Sequence, residues 1–122
     1  MSEQLSMPVI QRKQLLQAMI GNRNLTSVDV RQIQLLPGQQ SGRHVHPCAV
    51  VGYIVEGEAQ LQIEGEELQP LATGAAFYEP AGVVIANFGN ASDSESMTFI
   101  AFYLLDGDQE LFQMLPATAA TS

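Results

Sequence analysis

The chain breaks into short apolar runs separated by turn chemistry, and this rhythm limits the folds open to it more than any other feature. The runs are QLLQAMI (14–20), VDVRQIQLL (28–36), AVVGYIVE (49–56), EAQLQIE (58–64), AAFYE (75–79), VVIANF (83–88) and MTFIAFYLL (97–105). Between them lie GNRN, PGQQSG, EGE, EGEE, ATG, EPAG and GNASDSES. Val, Ile, Tyr and Phe concentrate in the runs, and spacers arriving about every ten residues point to an all-β sandwich or barrel. Several runs alternate with a period of two. Val28, Val30, Gln32 and Gln34 fall on one side and Asp29, Arg31, Ile33 and Leu35 on the other, while Ala59, Leu61 and Ile63 oppose Gln60 and Gln62. Strands with one buried and one wet face read this way. QRKQLLQAM also fits a helical period. The better helix candidate is GDQELFQML (107–115), where Asp108 can cap and Leu111, Phe112 and Leu115 share a face.

Length and charge narrow the function. The 122 residues suit a single domain, and 46% apolar against 15% charged residues is enough to bury a core. Thirteen acidic against five basic residues give a net charge of −8. No basic stripe for neutralising phosphates can form, so neither nucleic acid nor an anionic membrane is an expected partner. No apolar run nears the roughly 20 residues of a spanning helix, and the N-terminus does not have the layout of a signal peptide. The lone cysteine, Cys48, leaves no internal disulfide framework and fits a reducing cytoplasm.

Both histidines of the chain fall in GQQSGRHVHPCAVVGYIVEG (38–57). Here the sequence resembles the cupin family, small antiparallel β-barrels of the jelly-roll type. That family's first motif is Gly, five residues, His-x-His, three or four residues, Glu, six residues, Gly. In this chain Gly38 leads by five residues to His44-Val45-His46, then by three to Val50 and by six more to Gly57. The second motif is Gly, five residues, Pro-x-Gly, two residues, His, three residues, Asn. Here Gly74 leads to Pro80-Ala81-Gly82 and then to Ile85, with Gly89 at the Asn position. The spacing is kept, but the Glu has become Val50 and the second-motif His has become Ile85. The resemblance implies an N-terminal arm (1–13), a barrel over 14–106, and a C-terminal segment (107–122) with a candidate short helix and a frayed tail.

Metal-binding cupins hold their ion inside the barrel with three His and one Glu, so the resemblance carries over two ligands, His44 and His46. Their spacing on an extended segment sends both rings to one side. Cys48 continues the alternation as His-x-His-x-Cys and would offer a thiolate, although Pro47 interrupts the register; otherwise it is a small half-buried thiol. Glu79, just before Pro80, either reaches the site or is a solvated turn acid. Unpaired buried imidazole nitrogens would cost about 1–3 kcal/mol each, so something must sit between the rings. With Val50 and Ile85 in place of ligands the interior becomes largely apolar, as small-molecule sites are. Val50, Ile54, Tyr78, Glu79 and Ile85 are its candidate lining. Three functions stay open. One is a binding module for a small, largely apolar molecule. A second is a metal-dependent enzyme of dioxygenase, isomerase or decarboxylase type on His44 and His46, using Zn, Fe, Ni, Mn or Cu. The third is a dimerisation scaffold with no metal. A homodimer is expected, because a lone barrel leaves open strand edges that residues 10–20 could cover. Tyr53 is expected outside the barrel, against a partner or a covering segment.

Overall fold

A computed structural model describes residues 9–117. Among the described residues nine strands form two antiparallel sheets: β1 (Ser27–Leu35), β2 (His44–Val45), β3 (Ala49–Glu56), β4 (Ala59–Ile63), β5 (Gln69–Leu71), β6 (Ala76–Glu79), β7 (Val84–Asn90), β8 (Met97–Leu105) and β9 (Gln113–Met114). One sheet has the order β1-β8-β3-β6 and the other β5-β4-β7-β2-β9. Two sheets stacked face to face with these crossovers make a jelly roll. Among the described residues no helix is long and apolar enough to cross a membrane.

The period-two pattern sets the register. On β8, Met97, Phe99, Ala101, Tyr103 and Leu105 are buried and the residues between them are half-buried. Ala59, Leu61 and Ile63 turn inward on β4, as their alternation with glutamines requires. Between the sheets the rings of Phe77, Phe88 and Phe99 pack with centroids 4.7–5.9 Å apart, each pair adding about 0.5–1.5 kcal/mol beyond area burial. Gly57, in the tight β3–β4 connection, has φ +87°, which an L side chain rarely adopts.

Two local expectations are corrected. Residues 107–115 form no helix; Gln113 and Met114 pair with Val45 and His44 as β9. The Leu115 amide donates to the Arg43 carbonyl at 2.9 Å, and Leu111 packs on the core while Phe112 and Met114 stay exposed. Pairing to an open edge gives these backbone groups partners that an isolated short helix would lack. Residues 14–20 form neither helix nor strand. They run as an arm across the outer face of the β1-β8-β3-β6 sheet, where Leu15, Leu16 and Ala18 face Val51, Tyr53 and Phe102.

Candidate metal centre

His44 lies on β2, in register with Ile85 of β7, and His46 follows one residue after the strand ends. The turn that returns from β6 is pinned there, the Gly82 amide donating to the His46 carbonyl at 2.8 Å. Glu79 ends β6 on the opposite sheet, directly across the ladder from Val50. Both histidines therefore come from one sheet and the carboxylate from the other. All three side chains are buried, and their ligand atoms lie within 4.8 Å of one another.

Carbonyls orient the rings. His44 donates from Nδ1 to the Gly42 carbonyl (2.9 Å), and His46 donates from Nδ1 to the Leu111 carbonyl (2.6 Å). The corrected C-terminal segment thus positions a site residue. Each Nε2 is left facing Glu79 Oε1, at 2.6 Å from His46 and 3.4 Å from His44. Since each Nδ1 already donates, the 2.6 Å contact needs a proton held between His46 Nε2 and the carboxylate. The group facing both Nε2 atoms is the Glu79 carboxylate, where water, a metal or a bridging small molecule was expected.

Burial pushes the Glu79 carboxyl upward, but hydrogen bonding to His44 and His46 and their charge outweigh it and hold its pKa below the ordinary 4.5. Burial likewise opposes a charged His44, yet Glu79 and the Gly42 carbonyl raise its pKa above 6.5. Tyr103 Oη is pushed up by burial and by the Glu79 charge, and its ring lies 6.0 Å from that of His46.

Beside the donors is a cavity of about 80 Å³ lined by Ser41, Val50, Phe77, Phe88 and Phe99 together with the three site residues. A mouth of about 240 Å³, lined by Ser41, His44, His46, Phe112 and Met114, leads to the same histidines. No Lys or Arg lines either space.

The structure brings together His44, His46, Glu79 and Val50 from the sequence-derived candidates and separates the rest. Cys48 is buried in the core and outside the donor cluster, because the chain bends at Pro47-Cys48. Burial also raises its pKa above 9.0, which disfavours the thiolate that binds metal. Tyr78 pairs with Val51 and faces away from Phe77 and Glu79. Ile54 and Ile85 are fully buried in the core but do not line the cavity. Ser41, Phe77, Phe88, Phe99, Phe112 and Met114 were not anticipated in the lining. Phe77 alone carried a sequence signal: two residues before Glu79, it must share that residue's face.

The donor set fits one first-row divalent ion: two neutral imidazoles with their far nitrogens fixed by carbonyls, plus one carboxylate. The 2-His-1-carboxylate set also leaves coordination positions open.

Several solved structures share the architecture. A cupin-like protein from Thermotoga maritima is 20% identical with a TM-score of 0.66, over 77% of this chain and 68% of that one. A DMSP lyase from Ruegeria pomeroyi is 18% identical with a TM-score of 0.63, over 72% of this chain and 43% of that one. An oxalate oxidase in complex with the substrate analogue glycolate is 20% identical with a TM-score of 0.59, over 73% and 46%. The chain thus spans less than half the length of either enzyme, and likeness at this identity establishes the fold alone. No curated protein matches in sequence. Residues 31–107, well over half of the chain, match the Cupin domain, and with the jelly roll and its inward His pair already described, the chain belongs to the cupin family.

Proposed function

We propose that His44, His46 and Glu79 hold one divalent transition metal, and that the phenyl-lined chamber beside it receives a small, largely apolar molecule. The observation that carries this reading is the convergence of three buried ligand atoms within 4.8 Å, drawn from both sheets. When bound, such an ion supplies Lewis-acid chemistry, or redox chemistry if it is iron. The chain's own residues do the rest: carbonyls of Gly42 and Leu111 orient the imidazoles, Glu79 contributes charge, and Phe77, Phe88 and Phe99 exclude water. Apart from the two histidines that would hold the ion, no cationic side chain lines the chamber among the described residues, so a second charge on the ligand would find no partner there.

A second reading, a metal-dependent enzyme, is favoured by the three-ligand donor set itself, which would leave a bound ion able to take further ligands. The DMSP lyase and the oxalate oxidase are enzymes built on the same fold, but fold alone does not transfer a substrate.

Metal content of the untagged protein tests the proposal. About one transition metal per chain is expected in the unaltered protein and in Cys48→Ser, with loss in Glu79→Gln and His46→Ala. The amide introduced by Glu79→Gln can still hydrogen-bond His46, so that variant should fold. A folded protein that takes up no metal, or a Glu79→Gln variant that keeps it, refutes the site. On Co²⁺-loaded protein, butyrate should perturb the visible absorption at lower concentration than succinate. Equal responses would refute the apolar chamber.

A further inference from the structure

The C-terminal segment does more at the site than pair with an open strand edge. Leu111 gives its carbonyl to His46 Nδ1, and the next residue, Phe112, forms one wall of the mouth. Met114 forms another. It pairs with His44 across the β2–β9 ladder, and its methyl lies so near Gly42 that a Cβ there would sit 3.4 Å from it. Both side chains thus stand beside the backbone groups that orient the two imidazoles. The segment is pinned around them, by the Leu115 amide on the Arg43 carbonyl at 2.9 Å and by Arg43 Nη1 donating to the Pro116 carbonyl at 3.2 Å. Walls held this way are formed before a ligand arrives, so binding costs little ordering. Phe112 is nevertheless 50% exposed and Met114 56%. Two large apolar side chains held in water at the entrance to a buried donor cluster, with no charged neighbour in the lining except the two histidines, suit an apolar occupant.

Volume and charge define that occupant. The chamber of about 80 Å³ holds roughly three non-hydrogen atoms, at the ~30 Å³ that a water molecule takes in the liquid. The mouth of about 240 Å³ holds roughly eight more. A molecule larger than the chamber therefore has to extend into the mouth. A divalent ion together with the Glu79 carboxylate carries one net positive charge, which a single anionic group balances. A second anionic group would find no partner, since Arg43, beside His44 in the chain, is taken by Glu64 and the Pro116 carbonyl. We infer that Phe112 and Met114 seat the apolar chain of a monoanionic ligand whose head is held at the His44–His46–Glu79 cluster; this rests on the metal site proposed above and names the ligand class for it.

Chain length tests this inference on the full chain loaded with Co²⁺. Visible absorption titrated with butyrate, hexanoate and octanoate should give dissociation constants that fall about two- to fourfold per added methylene, the upper figure being complete burial at about 0.8 kcal/mol per CH₂. Dodecanoate, too long for the two spaces, should gain little over octanoate. Phe112→Ser and Met114→Ser, both at exposed positions, should each shrink the octanoate-to-butyrate preference at least about threefold. If neither serine variant folds, the unaltered chain loaded with Zn²⁺ provides a second reading. Octanoate should shift the Met114 methyl resonance, identified by its loss in Met114→Leu, and acetate should not. A chain that takes up no Co²⁺ overturns the donor cluster and this inference with it. Loaded protein that binds butyrate and octanoate equally leaves the cluster standing and overturns the inference alone. So does a chain-length gain that survives in both serine variants, or one that continues undiminished to dodecanoate. A Met114 methyl shift set by protein concentration and not by octanoate would give the mouth to a second copy of the chain, which also overturns it.

Discussion

At the scale of single residues, the buried Glu79 carboxylate governs the behaviour of the metal-free site. Its pKa is lowered below 4.5 and that of His44 is raised above 6.5 by the same contact. The two shifts have opposite linkage. A lowered carboxyl pKa stabilises the fold above the unfolded value of about 4.5, and that contribution is lost as pH falls through the folded value. A raised imidazole pKa stabilises below about 6.5, and its contribution is lost as pH rises through the folded value. With chelator present, the melting temperature should therefore be highest between about pH 4.5 and 6.5 and fall on both sides. The exposed Asp29–Arg31 and Glu64–Arg43 pairs act on the acid limb in the same sense but are open to solvent. Comparison with Glu79→Gln separates them: both limbs should be shallower in that variant. An unchanged profile would mean that the buried triad does not couple to folding.

At the scale of elements, the glycines and alternations did most to make the fold legible. Gly57, the closing glycine of the first motif, turns out to sit at the β3–β4 turn with φ +87°. A Cβ there would lie 2.6 Å from Met97 Cβ and 2.9 Å from the Ser96 carbonyl oxygen, so β4 and β8 could not both keep their places. Gly57→Ala should lose at least about 2 kcal/mol, from strained backbone and overpacking together, read as a lower urea midpoint. The β8 run MTFIAFYLL was legible to its ends because period-two burial and β-branched or aromatic content agreed. The C-terminal segment was not legible. Leu111, Phe112 and Leu115 satisfy a helical period, but the edge of β2 and the His46 ring offered its backbone partners that no local pattern records. Glu79 was hard to read for a related reason. Its neighbour Pro80 announces a turn, and only the ladder partner Val50 places the carboxylate inside. Cys48 continued the alternation only on paper: Pro47 was expected to interrupt the register, and β2 already ends at Val45, leaving the thiol in the core outside the donor cluster.

At the scale of the whole molecule, the site's position between the sheets links metal binding to global stability. His44 and His46 belong to the β5-β4-β7-β2-β9 side, Glu79 to the β1-β8-β3-β6 side. An ion held by all three would therefore tie the two halves of the sandwich across the core, and the three donors cannot be reassembled in an unfolded chain without closing the long loop between His46 and Glu79. Opening the sandwich must release the ion, so binding should shift the cooperative transition and not merely stiffen a loop. Free metal at a hundred times its dissociation constant stabilises the folded state by about 2.7 kcal/mol. At roughly 4 °C or more per kcal/mol for a domain of this size, Co²⁺ should raise the melting temperature by about 10 °C or more. Excess chelator should reverse the rise. Glu79→Gln should abolish most of it, because the two histidines remaining on one sheet no longer span the core. A Co²⁺-induced rise that survives in Glu79→Gln would place the ion on the histidine side alone and break the link between the centre and the packing of the two sheets.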